Sequence, residues 1–252
     1  MLKKGLVIYE PTGKALEYAP LAVNLYKGCN HGCRYCYAAA ATWQNPTDFS
    51  NAIPRPGILD RLKVDAPKAA QAGAIGQVLL CFTCDPYQPL DDDYHLAGQA
   101  IEILHASGFL VTVLTKGGTR AQADFDLYWP GDQFATTMTF LDEKQSLDWE
   151  PKAATPAERI RTLIEAHSRG FDTWVSLEPV LDPAQSLDII RQIYNYVDLF
   201  KVGKLNYPEK LPEPYRSQVN DIDWGKFGRE AVDLLCKLHC NYYIKNDLKR
   251  LM

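Results

Sequence analysis

The chain has 252 residues, 46% of them apolar and 23% charged, a size and balance that suit one large α/β domain or at most two small ones with a substantial core. No apolar run approaches the roughly 18–20 residues of a membrane span. The net charge of −4 lacks the Lys and Arg excess with which proteins grip duplex DNA regardless of sequence, although a local basic groove stays open.

In chain order, the opening MLKKGLVIYEPTG has no long apolar run before Glu10 and Pro11 and does not read as a secretory signal, so a cytoplasmic protein is expected. Residues 21–27 read as a first strand running into a cysteine cluster, and residues 77–83 as a second ending at Cys84-Asp85-Pro86. Residues 93–107 carry apolar side chains at helical spacing, with Gly108 as the stop. Residues 109–115 form a third strand before Lys116-Gly117-Gly118, and residues 133–140 alternate as a fourth. A helix opens at Thr155-Pro156-Ala157-Glu158, where Thr155 and Glu158 make a capping box and Pro156 takes the first turn, and it stops by Gly170. Residues 172–178 form a fifth strand, 185–196 a helix, 197–203 a sixth strand and about 225–239 a final helix, while the Pro-rich 207–214 reads as a surface loop. Strands alternating with helices imply parallel pairing through right-handed crossovers, a partial or full α/β barrel. Chemistry in barrels gathers at the C-terminal strand ends, where Cys29, Asp85, Lys116, Glu178 and Lys204 fall.

The most informative segment is Gly28-Cys29-Asn30-His31-Gly32-Cys33-Arg34-Tyr35-Cys36-Tyr37. Three thiols within eight residues can converge on one metal centre, and its glycines let the backbone turn tightly around it. Seven cysteines in a reducing compartment suggest ligation or thiol chemistry rather than disulfides. Thiolates are the usual ligands of iron–sulfur clusters. Three of them leave the fourth iron of a 4Fe–4S cluster open to the amine and carboxylate of S-adenosylmethionine (SAM), whose reductive cleavage gives a 5′-deoxyadenosyl radical. Zinc is the competing reading, with His31 or the Cys81/Cys84 pair completing four ligands.

The C-x3-C-x2-C spacing with Tyr35 before the third cysteine resembles the radical SAM superfamily signature. The longer string NLYKGCNHGCRYCYA is similar to the branch related to spore photoproduct lyase. The likeness extends thinly through Thr83–Pro89, Leu114-Thr115-Lys116 and Tyr242–Leu248. It implies an α/β fold, a partial (β/α)6 radical SAM barrel with short N- and C-terminal extensions. Residues 1–252 are expected to form a single domain, with a core barrel over about 21–205 and a helical extension over about 206–252. It further implies a 4Fe–4S cluster on Cys29, Cys33 and Cys36, and SAM as cofactor. Tyr35 would meet the adenine through its backbone, Asp85 the methionine amine and Lys116 the methionine carboxylate.

Thr137 and Thr139 share one face of the fourth strand, so their hydroxyls could hold ribose or carboxylate; both also suit plain strand packing. Glu178 ends the fifth strand facing SAM or substrate, while Lys201 and Lys204 suit solvent as well as a ligand. The branch uses a cysteine on the Cys81–Cys84 segment as hydrogen donor, but Phe82 stands at the matching position. Strand alternation points Cys84 to the same side as Phe82 and Cys81 to the helical layer, which makes Cys84 the candidate donor, against a packing role. Cys236 and Cys240 suit core packing, or an auxiliary cluster with Cys81 and Cys84. Tyr37, Trp43, Tyr87 and Tyr94 fall near the expected mouth and suit base stacking or ordinary packing.

The resulting expectation is a lyase-like radical SAM enzyme that abstracts hydrogen from a nucleic acid or nucleotide, in DNA repair or base modification. It would depend on a flavodoxin- or ferredoxin-like electron donor. The alternatives are the same chemistry on a peptide or small metabolite, and a non-catalytic zinc-binding nucleic-acid module.

Overall fold

The computed structural model describes residue 2 and residues 5–252; Met1, Lys3 and Lys4, and with them the lysine pair of the opening segment, lie outside the described residues. Among the described residues one sheet holds seven parallel strands in chain order: β1 (Leu21–Val23), β2 (Gln77–Leu80), β3 (Leu110–Thr115), β4 (Gln133–Thr137), β5 (Asp172–Leu177), β6 (Leu199–Val202) and β7 (Tyr242–Ile244). Six are the predicted strands. The seventh lies in a segment expected to be helical; Tyr242, Tyr243 and Ile244 pair with Phe200, Lys201 and Val202.

The strands alternate between two buried environments. Val23, Leu80, Val113, Phe134, Val175 and Phe200 pack with the helices, whereas Ala22 and Leu79 turn the other way against Tyr18, Phe82 and Leu114. Each fully buried Val, Leu or Phe contributes about 1.5–3 kcal/mol relative to exposure.

The first predicted strand is broken. Residues 26–27 leave the sheet and pair antiparallel with Ile53–Pro54, because the last ladder bond at this edge runs from Cys81 N–H to the Val23 carbonyl at 2.8 Å. The fourth strand ends at Thr137, three residues early, with Met138 N–H still bonded to the Ser176 carbonyl at 3.0 Å.

Seven helices matter to the site: α1 (Ala38–Ala41), α2 (Ile58–Gln71), α3 (Leu96–Ala106), α4 (Glu143–Trp149), α5 (Pro156–Ser168), α6 (Pro183–Ile193) and α7 (Trp224–Lys237). The α5 capping box forms as read, with the Thr155 hydroxyl accepting from Glu158 N–H and the Glu158 carboxylate accepting from Thr155 N–H at 2.8 Å. Asp142, Asp182 and Asp223 cap α4, α6 and α7 by accepting from backbone N–H groups. The helical run expected from residue 93 starts at Leu96, since His95 adopts φ 49° and interrupts it. Helix α2, which the sequence reading did not identify, carries Pro67 internally and buries Ile58, Leu62, Ala66 and Ala69 along one stripe.

β1 and β7 are the two sheet edges and do not pair with each other. The N-terminal segment spans the gap between them. Tyr9 bridges antiparallel to Ala22. Glu17 accepts from the Tyr243 hydroxyl at 2.8 Å and the Asn246 amide nitrogen at 2.9 Å. Lys14 reaches Asn206 and lies 2.6 Å from Asp247.

Candidate active site

At the C-terminal strand ends, one cavity is lined by Cys29, Cys33 and Cys36 together with Tyr35, Cys84, Asp85, Lys116, Thr137 and Glu178. The three cysteines and six further residues singled out in the sequence thus meet, from five separate stretches of chain. The loop that carries the cysteines leaves the first strand region at Gly28, whose φ of 88° and lack of a side chain let it pass against the Phe49 carbonyl. That carbonyl accepts from Cys29 N–H at 2.8 Å.

The three cysteines are free thiols. Burial, with Asp85 adding to it, pushes the Cys29 thiol well above its ordinary range; burial pushes Cys33 up to about 12 and also raises Cys36. Opposing this, backbone N–H groups of His31 point at the Cys29 sulfur and those of Ala38 and Ala39 at the Cys36 sulfur, while the Lys116 cation acts on Cys33. Such donors favour thiolates, and hydrogen bonds to sulfur are a feature of iron–sulfur sites. The donor set therefore fits a metal–sulfur group. Among the described residues no group of three or more His, Cys, Asp or Glu is drawn closely enough around one point to hold a single metal ion.

Asp85 is 8% exposed and its carboxylate is already engaged. It accepts from Thr115 Oγ1 at 2.6 Å, Tyr87 N–H at 3.0 Å and Lys116 N–H at 2.7 Å, and His31 Nδ1 lies 3.5 Å away. Asp85 thus ties the ends of β2 and β3 to the cysteine loop. His31 is 1% exposed, its Nε2 has no partner among the described residues, and burial lowers its pKa to about 4. The Lys116 ammonium lies 5.7 Å over the Tyr35 ring; burial would lower its pKa, but Cys33, Glu150 and Asp85 raise it.

Glu178 takes hydrogen bonds from the Tyr18 hydroxyl at 2.5 Å and Asn206 Nδ2 at 3.1 Å, and pairs with Lys245 at 3.1 Å. Tyr18, Tyr37, Phe82 and Asn206 line the same wall.

Several expectations are corrected. Thr139 does not share the cavity: the chain has left β4 after Thr137, and the fully buried Thr139 hydroxyl finds no partner among the described residues. Cys81 packs in the helix-side core, as expected, and also borders the cavity. It adopts φ 67° just past β2 and lines the cavity together with Cys84. Lys204 lies outside the lining and bonds the Leu205 carbonyl at 3.3 Å. Lys201 lies 4.1 Å over the Trp174 ring and donates to the Glu17 and Tyr18 carbonyls. Of the four aromatics expected at the mouth, only Tyr37 lines the cavity; Tyr87 is buried with its hydroxyl on Asp124, and Trp43 and Tyr94 face solvent. Cys236 and Cys240 take no part in the lining; Cys236 instead contacts the Tyr242 hydroxyl.

No site role was assigned from the sequence to Tyr18, Glu150, Arg159, Asn206 or Lys245, although Lys245 lies in the Tyr242–Leu248 stretch of the resemblance. Arg159 left one legible sign. It sits on the helical stripe Pro156, Arg159, Thr162, Leu163 and Ala166, the buried face of α5, where an unpaired charge is costly.

A family model described as the radical SAM superfamily matches residues 23–197. Uncharacterized proteins of Mycobacterium bovis and Mycobacterium tuberculosis are 30% identical over 202 residues, 75% of this chain and 58% of theirs. The chain thus spans little more than half the length of these relatives. An uncharacterized protein of Methanocaldococcus jannaschii is 23% identical over 234 residues, 87% of each chain. Among solved structures, a spore photoproduct lyase variant with bound AdoMet and dinucleoside spore photoproduct superposes with a TM-score of 0.70 at 14% identity, covering 96% of this chain and 80% of that one. Streptococcus suis SuiB bound to S-adenosylmethionine gives 0.66 at 12% identity, covering 89% and 50%. At these identities the two likenesses establish the shared fold.

Proposed function

We propose, from the premise that the chain belongs to the radical SAM superfamily, that it is an enzyme that cleaves SAM reductively and abstracts hydrogen from an organic substrate. The observation that carries this reading is the single cavity that joins three free thiols to a cation and a row of polar side chains at the strand ends. Cys29, Cys33 and Cys36 would hold a 4Fe–4S cluster, which supplies the electron for cleaving the sulfonium carbon–sulfur bond.

The remaining tasks fall to side chains. Lys116 gives the methionine carboxylate a charge-assisted hydrogen bond. Thr137 offers a hydroxyl to ribose or carboxylate, and the Tyr35 backbone meets the adenine. Asp85 serves the methionine amine by fixing the loop around it, because its own oxygens are committed to the chain. Cys84 is the hydrogen donor to the substrate radical, and Glu178 accepts a hydrogen bond within the cavity.

The substrate we infer is a nucleic acid or nucleotide, in repair or base modification. Tyr18, Tyr37 and Phe82 offer aromatic faces beside the Glu178 acceptor. A base within a duplex would have to be flipped out to reach them. The reductant is a flavodoxin- or ferredoxin-like protein, and the compartment the cytoplasm. No helix among the described residues is long and apolar enough to cross a membrane.

The test is anaerobic reconstitution with iron and sulfide, then incubation of the reduced protein with SAM and thymine-containing oligonucleotides. A visible charge-transfer band, 5′-deoxyadenosine and deuterium transfer from labelled oligonucleotide support the reading. A colourless zinc protein that leaves SAM intact overturns it.

A further inference from the structure

Glu150 and Arg159 form an ion pair with Nη2 to Oε2 at 2.5 Å, at 0% and 1% side-chain exposure, behind the cavity rather than in its wall. Burying two charges is expensive, and a packed apolar pair of similar size is often as stable. The pair therefore calls for an account other than stability, and its connections provide one.

The segment from Trp149 to Ala154 runs along the back of the cysteine loop and is bonded to it repeatedly. Arg34 N–H donates to the Trp149 carbonyl at 2.8 Å, Lys152 N–H donates to the His31 carbonyl at 3.1 Å, and the Tyr35 hydroxyl donates to Glu150 Oε1. On the other side, Arg159 spends its planar fork on fixed points of the scaffold. Nη1 donates to the Thr137 carbonyl at 3.0 Å and Nε to the Ala154 carbonyl at 2.9 Å. Ala154 N–H in turn donates to the Lys116 carbonyl at 2.9 Å. One charged pair thus connects the cysteine loop to the ends of both β3 and β4. It is also close to the thiols, since Glu150 accepts from the hydroxyl of Tyr35, which stands between Cys33 and Cys36 in the loop.

We propose that the Glu150–Arg159 pair positions the cysteine loop through Tyr35 and that its two opposite charges tune how readily the iron–sulfur group held there accepts an electron. This rests on the reading that Cys29, Cys33 and Cys36 hold such a group. Glu150, Arg159 and Tyr35 act through the loop and are positioning residues; buried partners of this kind orient ligands and tune metal sites.

The experiment uses the full chain reconstituted anaerobically with iron and sulfide, as wild type and as E150Q, R159M, R159K and Y35F. Iron and sulfide per chain, the midpoint potential from a titration followed by electron paramagnetic resonance, and urea unfolding are all measured. E150Q keeps an acceptor for Tyr35 but leaves a cation unopposed, so its potential rises. R159M leaves the carboxylate unopposed, so its potential falls. R159K keeps the charge without the fork and stays near the wild-type potential with weaker iron retention. Y35F cuts the tether without altering charge; it holds the wild-type potential while iron affinity drops about tenfold or more.

E150Q and R159M both lose stability, so a purely structural role would move their potentials together or not at all, and that result overturns the inference. If R159M does not fold, E150Q against R159K makes the same comparison. If the wild-type chain takes up no iron–sulfur cluster, the functional reading falls and the inference with it. A loaded wild type with unmoved variants sinks the inference alone.

Discussion

Lys245 and Glu178 meet at 3.1 Å at the cavity wall, one directly after the last strand and the other directly after β5. The Lys245 ammonium is 1% exposed, lies 3.5 Å over the Tyr18 ring and is 3.5 Å from Glu17. Gly203 makes room for the meeting, since a Cβ there would stand 2.9 Å from both side chains. Replacing Lys245 by Met strands two carboxylates in a largely buried place. The expected cost is about 3–5 kcal/mol, the usual penalty for removing one partner of a buried pair. Urea unfolding measures it, and a loss below about 1 kcal/mol, the size of a surface pair, would show the pair to be effectively solvated.

Gly28→Ala should dislodge the cysteine loop. The added methyl group collides with the backbone carbonyl of Phe49, and φ of 88° is unfavourable for alanine. Reconstituted protein should hold less than about half the wild-type iron, in line with losses seen when metal ligands are misoriented. Full iron loading of this variant would show that the loop moves freely.

Lys116→Ala should weaken SAM binding by about tenfold to a hundredfold, the worth of a charge-assisted hydrogen bond of about 1.5–3 kcal/mol. Equilibrium dialysis with the reconstituted, oxidised protein reads this directly. Unchanged affinity would remove Lys116 from the cofactor site.

Cys84→Ala and Cys81→Ala should separate the two thiols. The first should still form 5′-deoxyadenosine from SAM but return little hydrogen to the substrate radical, so substrate-derived by-products accumulate. The second should keep normal product, because Cys81 Sγ already accepts from Leu25 N–H at 3.5 Å and is the more deeply buried. The reverse pattern by mass spectrometry would transfer the donor role to Cys81.

Lys201 titrates early, its pKa lowered to about 8 by burial and then by Lys245, with Glu17 opposing. Its unfolded value lies near the ordinary 10.5. Between about pH 8 and 10.5 the unfolded chain therefore binds more protons here than the folded one, and folding stability from this group rises with pH. Lys201→Met removes that term. The stability of wild type relative to the variant should accordingly improve from pH 7.5 to pH 10 in paired urea titrations. A constant difference would mean that Lys201 keeps an ordinary pKa.

Much of this was legible because it depends on short-range chemistry. The α5 cap needed only Thr155, Pro156 and Glu158, and the strand cores needed only runs of branched and aromatic residues. The cysteine cluster was legible for the same reason. What escaped depends on long-range closure. β7 is three residues long and is fixed by pairing with β6, not by its own pattern. That Cys81 also borders the cavity was hidden, because it takes a left-handed conformation at a strand end that no neighbouring residue type announces. Thr139 failed for a related reason, since nothing in QFATTMTF marks where the ladder stops. Helix α2 was hidden by Pro67, which its buried stripe outweighs.

The segment that spans the gap between the two sheet edges also reaches the cavity, through Tyr18. The matched superfamily span covers the three cysteines, Lys116 and Thr137, but it stops short of Tyr18, Asn206 and Lys245 at either end. The polar partners of Glu178 therefore come from both ends of the chain, and the three thiols and Lys116 from its middle. Exchanging Tyr18, Asn206 or Lys245 would change the neighbours of Glu178 without touching the thiols or Lys116.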